Sequence, residues 1–133
     1  MKSGMKKVLP YVFTVAITLF IGFVIVAFVL RPQKLEISTV DLDTASDGEY
    51  VGVCQNKILF AVVKVKIQDH KITDVEVIEH KESYMEQARQ IAERVCDEQL
   101  LNVDAISGAT LTSDTVKKAI ENALEDAKTS DRK

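Results

Sequence analysis

A stretch near the C-terminal third of the chain is unusually rich in hydroxyl side chains. The segment DAISGATLTS, residues 104–113, carries four hydroxyls around one glycine: Ser107, Gly108, Thr110, Thr112 and Ser113. A helical pattern follows, and Thr112 or Ser113 is suited to be the N-cap of a helix that starts near Asp114. One cap uses one hydroxyl, so the other polar residues of the stretch need another explanation.

The same stretch also suits an anion. A glycine turn that leads into a helix presents free backbone N–H groups and the positive end of the helix dipole, which together favour a phosphate. Gly108 and Ala109 carry almost no side chain, so a phosphate-bearing ligand could approach the backbone closely. Ser107 and Thr110 could donate hydrogen bonds to it. The stretch lacks the lysine of a nucleotide P-loop, so ATP chemistry is not expected.

The spacing of apolar residues along the chain changes, and this change predicts the strands and helices that must position the stretch. Alternating residues predict three strands, over residues 49–53, 57–68 and 72–78, with Asp69-His70-Lys71 as the hairpin turn between the last two. A period of three to four residues then predicts an amphipathic helix over residues 83–99. A second helix follows the hydroxyl stretch, with an apolar stripe of Val116, Ala119, Ile120, Ala123 and Ala127. Strands followed by helices predict an α+β fold with antiparallel strands.

Residues 11–30 (YVFTVAITLFIGFVIVAFVL) form an uncharged apolar run. A helix of this length spans about 30 Å at about 1.5 Å per residue, which matches the hydrocarbon core of a bilayer. A cleaved signal peptide is the alternative, but its apolar region is shorter, about 7–15 residues, and ends in a small-x-small site. The run ends in AFVLR without such a site, so we predict a single transmembrane helix.

The distribution of charge indicates orientation and excludes one class of partner. Lys2, Lys6 and Lys7 precede the run. Arg31 and Lys34 follow it, and the smaller positive charge on that side favours a cytoplasmic N-terminus and an extracytoplasmic C-terminal domain in the cell membrane. All 20 acidic residues follow the run, with 14 of the 17 basic ones, so this part carries a formal charge of −6. Such an acidic domain is not expected to bind nucleic acid.

We expect five regions: a cytoplasmic N-terminus (1–10), the transmembrane helix (11–30), a tether (31–46), a small domain (47–128) and a tail (129–133). The tether contains Pro32 and scattered charges, with at most one short strand or helical turn. Cys54 and Cys96 are too few for a disulfide framework or a zinc site, and no metal site is expected. Both lie in apolar segments, which predicts buried side chains, although an extracytoplasmic location would permit a bridge between them.

Three segments of the chain together match a known pattern of motifs. These are DGEYVG (residues 47–52), VKVKIQDHKITDVEVIEHKES (residues 63–83) and DAISGAT (residues 104–110). They resemble the opening D-G-x-Y-x-G, the strand–turn–strand region that ends in E-H-x-E-[ST], and the motif D-x-x-[ST]-G-A-T of the FMN-binding domain family. This family is found in the C and G subunits of sodium-pumping NADH:quinone reductases and Rnf complexes. The resemblance covers residues 47–127, essentially the whole domain.

The resemblance implies a cofactor and its attachment residue. In this family the last threonine of the motif carries FMN through a phosphoester bond, which a magnesium-dependent flavin transferase installs from FAD. That threonine is Thr110 here. Asp104 would brace the loop by accepting backbone N–H bonds, or assist the transferase with magnesium and the threonine proton.

The resemblance also implies roles for the neighbours of Thr110. Ser107, Gly108 and Ala109 would shape the phosphate-binding turn. Thr112 and Ser113 would cap the helix and contact the phosphate.

Three residues outside the stretch carry weaker signals. His80 is more typical of a solvated strand end than of a flavin contact, and Phe60 is more typical of a core side chain. Tyr84 has a ring that could stack on a flavin.

Together these features predict a membrane-anchored extracytoplasmic flavoprotein that carries electrons from a membrane quinol or dehydrogenase donor. The alternative is a non-catalytic scaffold or assembly module of a membrane redox complex with the same fold. The sequence offers no Ser–His–Asp, Cys–His or paired-carboxylate constellation and no iron–sulfur cysteine pattern. An electron-transfer protein or complex subunit is therefore expected rather than a stand-alone enzyme.

Overall fold

The chain divides into two compact units, Met1–Arg31 and Pro32–Lys133. A computed structural model describes residues 2–31 and 35–130. Lys34, which contributes to the predicted orientation, and the end of the predicted tail lie outside the described residues. A long helix comes first, followed by three strands and two further helices, which is the predicted α+β architecture.

The first unit is helix α1, Lys2–Val29. An 18-residue stretch within its segment Gly4–Val29 has a mean hydropathy of 2.8, and the segment is long and apolar enough to cross a membrane. Thr14 donates its hydroxyl proton to the carbonyl of Pro10, and Thr18 donates to the carbonyl of Thr14, each at 2.8 Å. These bonds satisfy both hydroxyls within the helix, as an apolar environment requires. The predicted apolar helix is therefore present, and it extends further toward the amino terminus.

The second unit contains a three-stranded antiparallel sheet in the order β1-β2-β3, with β1 at Gly48–Asn56, β2 at Leu59–Gln68 and β3 at Lys71–His80. Asp69 and His70 connect β2 to β3 with φ angles of +53° and +61°. A two-residue type I′ turn requires positive φ at both positions, so the predicted hairpin is confirmed. On the open face of the sheet, Lys64 and Glu76 form an ion pair at 2.8 Å.

Two helices cover the other face of the sheet. Helix α2, Met85–Glu98, follows a 3₁₀ turn and packs on β3, while α3, Thr110–Ser130, packs on β1, β2 and α2. The core takes Ala61, Val63, Val65 and Ile67 from β2, Ala88, Ile91, Ala92 and Val95 from α2, and Val116, Ala119, Ile120 and Ala123 from α3. The apolar stripes predicted for both helices are therefore buried.

Residues 35–46, called the docked segment below, belong to the second unit and lie against its sheet-and-helix core. Its apolar side chains pack against the core, and these are Leu35, Ile37, Val40, Leu42 and Ala45. The backbone N–H of Ser38 donates to the carboxylate of Glu121 on α3 at 3.2 Å. A 3₁₀ turn at Leu42–Thr44 is the one helical turn in this segment. Where the weak periodicity predicts a tether, the structure therefore shows a chain with specific contacts.

Both cysteines have free thiols. Cys54 is buried, as its apolar segment predicts, whereas Cys96 is only partly buried. Burial raises the pKa of both thiols, so they stay protonated near neutral pH.

Candidate functional site

The hydroxyl-rich stretch forms the connection between α2 and α3. The connection ends in a tight turn, in which the N–H of Ala109 donates to the carbonyl of Ile106 at 2.9 Å. Gly108 has a φ of +77°, a conformation that glycine adopts without steric cost. A Cβ added to Gly108 would meet nothing within 4 Å. The glycine is therefore needed for the backbone conformation of the turn rather than for space.

Helix α3 begins at Thr110, so the predicted caps are wrong: Thr112 and Ser113 lie inside its first turn. The N–H of Ser113 donates to the carbonyl of Ala109 at 2.9 Å. The buried Oγ of Ser113 donates to that same carbonyl at 2.8 Å and accepts from the N–H of Ile106 at 3.0 Å. Ser113 thus fixes the turn to the helix from the inside, instead of capping the helix from outside.

Thr110 presents a free hydroxyl at the start of α3. Its side chain is exposed, and within the described ranges its hydroxyl has no hydrogen-bond partner. The N–H groups of Leu111 and Thr112 also lack an acceptor there, as expected in the first turn of a helix. No acidic residue lies in this turn to compete for them. The positive end of the helix dipole is therefore open to an anion.

A cavity of about 460 Å³, called the Thr110 cavity below, opens beside this hydroxyl. It is lined by Ile58, Leu59, Lys81, Tyr84, Gly108, Ala109, Thr110, Leu111 and Thr112. Small-molecule sites usually occupy about 300–1,000 Å³ and are largely apolar with a few polar groups. Lys81 is the one charged residue in this lining, and its Nζ lies 5.8 Å from the centre of the Tyr84 ring. The Thr110 cavity therefore has the size and lining of a small-molecule site.

A second cavity of about 720 Å³, called the acidic cavity, also borders Thr110. It is lined by Leu35, Glu36, Ile37, Leu101, Asn102, Val103, Asp104, Ala105, Thr110, Asp114 and Lys117. Lys117 Nζ lies 3.7 Å from the carboxylate of Asp114 and donates to the carbonyl of Val103 at 3.1 Å. Three carboxylates against one ammonium group disfavour an anion, so a phosphate-bearing ligand fits the Thr110 cavity better.

The loop that carries Asp104 is braced through its backbone. Arg94 on α2 donates from Nη1 to the carbonyl oxygen of Asp104 at 2.9 Å. Within the described residues the Asp104 carboxylate accepts no backbone N–H bond, so the predicted bracing by that carboxylate is not observed. Arg94 performs the bracing instead, and the carboxylate remains exposed beside the acidic cavity.

His80 lies on the covered face of the sheet, so the prediction of a solvated strand end is wrong. Val62 of β2 pairs with Glu79 of β3, and Val63 pairs with Val77. Ile78 therefore has no partner in this register and is an extra residue in β3. This β-bulge reverses the direction of the side chains that follow it. His80 is consequently only 7% exposed.

The imidazole of His80 links β2 to the first turn of α3. Its Nδ1 lies 2.7 Å from the carbonyl oxygen of Phe60, and because a carbonyl only accepts, Nδ1 carries a proton. Its Nε2 lies 3.3 Å from Oγ1 of Thr112, which is itself buried. Burial lowers the pKa of His80, and the bond to Phe60 opposes that effect. Near pH 7 the ring is therefore neutral, and Nε2 accepts the Thr112 hydroxyl proton.

The structure brings most of the predicted site residues together. Four of them line the Thr110 cavity: Gly108, Ala109, Thr110 and Thr112. Asp104 borders the acidic cavity, while the buried Ser113 supports the turn from below. Ser107 is exposed on the turn and lines neither cavity.

Sequence reasoning missed Lys81 and Arg94 and misplaced Phe60. Lys81 directly follows β3, so its position at a strand end was the available signal. Nothing in the sequence distinguishes Arg94 from the other charged residues of α2. The Phe60 side chain is 40% exposed on the open face of the sheet, rather than buried in the core. Tyr84, in contrast, does line the cavity at which a flavin is expected.

Comparison with known families decides the nature of the domain. Residues 60–125 match the sequence model of the FMN-binding domain. Residues 60–125 belong to the FMN-binding domain family. The match runs from β2 into α3 and includes Thr110, most of the Thr110 cavity and the turn before α3. No curated protein matched the chain. The domain therefore has a flavin-binding function, with FMN as its cofactor.

The residues around Thr110 fit this cofactor. The free N–H groups at the start of α3 suit its phosphate. Apolar walls at Ile58 and Leu111 and the Tyr84 ring suit its planar ring system, and Lys81 supplies a positive charge beside them.

Proposed function

We propose that this protein is a membrane-anchored electron carrier with FMN attached through a phosphoester bond to Thr110. The observation that carries the proposal is the position of Thr110. Its unpartnered hydroxyl stands at the first residue of α3, between free N–H groups and a cavity of suitable size. The scaffold alternative requires neither the free hydroxyl nor the cavity.

Attachment uses the Thr110 hydroxyl as the nucleophile. Its oxygen forms a bond to the phosphorus that bears riboflavin in FAD, as the pyrophosphate bond breaks and AMP leaves. The hydroxyl proton passes to a base supplied with the magnesium-dependent flavin transferase. Exposure of the turn supports this proposal, because the modifying enzyme must reach Thr110 from outside.

In the attached state the chain would hold FMN at two ends. The first turn of α3 would bind the phosphate, and Lys81, Tyr84 and Ile58 would contact the ring system. FMN supplies the one- and two-electron redox chemistry, and the protein supplies attachment and electrostatics. A cavity open to solvent on one side supports electron exchange with partner proteins.

Mass spectrometry of the intact chain tests the attachment. Coexpression with a flavin transferase should raise the mass by one FMN less one water, and a denaturing gel should show a fluorescent band. Thr110→Ala should abolish both signals, whereas Thr110→Ser, which keeps a hydroxyl, should retain them. Thr112→Ala should also retain them. A covalent flavin in Thr110→Ala would refute the assignment.

Rapid-mixing absorbance tests the carrier role. In membranes, the flavinylated protein should be reduced by a quinol or dehydrogenase donor and reoxidised by an extracytoplasmic acceptor. It should show little turnover with NADH alone, because the sequence offers no dinucleotide fingerprint. If the flavin stays oxidised with every respiratory donor, and a redox complex fails to assemble without the protein, the scaffold alternative is correct.

A further inference from the structure

His80 has a place in the fold that flavin attachment does not explain. The β-bulge at Ile78 turns its ring inward, beneath the first turn of α3. There it contacts Thr112, which lines the Thr110 cavity next to the proposed attachment residue. A buried titratable ring therefore lies one hydrogen bond away from the cavity.

The hydrogen bonds of His80 have a direction that depends on its charge. Nδ1 donates to the Phe60 carbonyl in either state, because that oxygen can only accept. In the neutral ring Nε2 has no proton, so Thr112 must donate its hydroxyl proton to the ring. In the charged ring Nε2 donates to Oγ1 of Thr112, and the hydroxyl proton of Thr112 becomes available to another acceptor.

We propose that His80 and Thr112 form a hydrogen-bond relay whose direction reverses when His80 takes up a proton, so that Thr112 then donates to an anionic phosphoryl group held at the start of α3. His80 is thus a positioning residue that acts through Thr112. This inference rests on the proposed attachment at Thr110. Because linkage is reciprocal, a phosphoester at Thr110 favours proton uptake by His80, and the protonated ring favours the phosphoester.

The polar contacts of the His80 ring are its hydrogen bonds to Phe60 and Thr112. Phe60 on β2 contributes only its carbonyl, and Thr112 on α3 contributes only its hydroxyl. Among the described residues, no charged side chain contributes to the pKa of His80. Lys81 and Tyr84 are the titratable side chains that border the Thr110 cavity, and Glu79 is exposed. A new negative charge in the cavity would therefore reach the ring through Thr112.

Nitrogen-15 NMR of histidine-labelled full-length protein in detergent micelles tests the relay in the unmodified state. The spectrum should show the neutral His80 ring protonated at Nδ1, with the exposed His70 as a reference signal. Thr112→Val should lower the pKa of His80 further, because the charged ring loses a charge-assisted hydrogen bond from Nε2–H, which is stronger than the bond that the neutral ring loses. Thr112→Ser should resemble the wild type. A ring protonated at Nε2, or an unchanged pKa in Thr112→Val, would overturn the relay.

The flavinylated protein supplies the second test. The pKa of His80 should rise on attachment in the wild type and in Thr112→Ser, and the rise should be lost in Thr112→Val. An equal rise in Thr112→Val would mean that simple charge attraction acts without the relay, which contradicts the proposal. Intact mass separates this result from a failure of attachment itself. Without a mass gain the attachment proposal fails, while the measurements on the unmodified chain still decide the relay.

Discussion

Gly52 on β1 lies directly against the backbone of α3 at Ala119. A Cβ added to Gly52 would overlap the Ala119 carbonyl oxygen and come within 2.7 Å of the Ala123 nitrogen. These neighbours are backbone atoms of a packed helix, so they cannot rotate away as a flexible side chain could. The strand and the helix that carries Thr110 can approach this closely only because Gly52 has no side chain.

Replacement of Gly52 by alanine should therefore destabilise the domain strongly. Either α3 or β1 must move, and overpacking of this kind costs about 1–3 kcal/mol of unfolding free energy, with the upper end expected here. Val51→Ala is the control, because this neighbour is 50% exposed on the open face and should change the unfolding free energy by less than about 0.5 kcal/mol. Urea unfolding of the full chain in detergent, followed by circular dichroism, compares the two. Equal midpoints would contradict the contact.

Ser113→Ala should loosen the turn before Thr110. The substitution removes the acceptor of the Ile106 N–H, and an unpaired, partly buried donor costs about 1–3 kcal/mol. Ser107→Ala removes a hydroxyl from the same turn at an exposed position, so its cost should stay within about 0.5 kcal/mol. Amide hydrogen exchange at residues 105–109 should accelerate in the first variant alone. The opposite ranking would show that Ser113 does not support the turn.

Glu121→Ala should release the docked segment. The buried carboxylate of Glu121 accepts from the Ser38 N–H and from Lys118 Nζ. We expect faster hydrogen exchange in residues 35–46 and a loss of about 1–3 kcal/mol in the unfolding free energy. Glu125→Ala, on the same helix, removes a more exposed ion pair with Lys128 and should cost less than about 1 kcal/mol. Unchanged exchange in Glu121→Ala would contradict the role of this contact.

Domain stability should fall as the pH is lowered through the titration of His80. Burial lowers the pKa of His80 below its ordinary value near 6.5, so the unfolded chain binds the proton more tightly than the folded chain. The stabilising effect is therefore complete above that ordinary value and is lost as the pH falls through the folded pKa. Unfolding midpoints measured from pH 7.5 downward should show this loss, and His80→Gln should remove that component. If the unfolding midpoints of the wild type and His80→Gln depend on pH in the same way, His80 does not contribute to the loss of stability.

The proposed orientation places the domain outside the cytoplasm. The apolar run of α1 and the lysines at the amino-terminal end of this helix support this arrangement. Protease added to intact spheroplasts should digest the domain, and a protein tag placed at the N-terminus should be protected until lysis. Digestion only after lysis would reverse the orientation. A mature N-terminus beyond residue 25 would mean that the apolar run is a cleaved signal and not an anchor.

Local chemistry made part of this fold predictable. Lys64 and Lys66 alternate with apolar residues, and the following Asp69-His70 pair suits positive φ, so the hairpin could be derived from the sequence. The two helices of the domain could also be predicted from the sequence, because their apolar residues recur at regular intervals. Sequence alone predicts a start of α3 near Asp114, which is too late, because Ser113 is a good cap residue in isolation. Its hydroxyl instead bonds back into the turn, and only the folded loop supplies that partner.

Positions set by tertiary structure were the ones that sequence reasoning missed. Simple alternation from Val77 directs Glu79 inward and His80 outward, and the bulge at Ile78 exchanges them. No residue type in β3 indicates that a bulge occurs at this position. Docking of Leu35 likewise depends on a surface formed by α3 and the loop before it, which local periodicity does not describe.

The docked segment changes where a soluble fragment of this protein should begin. The family match begins at residue 60, and the turn at Asp47 marks the start of the sheet. A fragment cut at either point would strip Ala45, which is 1% exposed, from the core and leave Glu121 without the Ser38 N–H. It would also remove one wall of the acidic cavity beside Thr110. A fragment that begins before Leu35 keeps all of these contacts, so the smallest autonomous folding unit is longer than the sequence motifs that identify it.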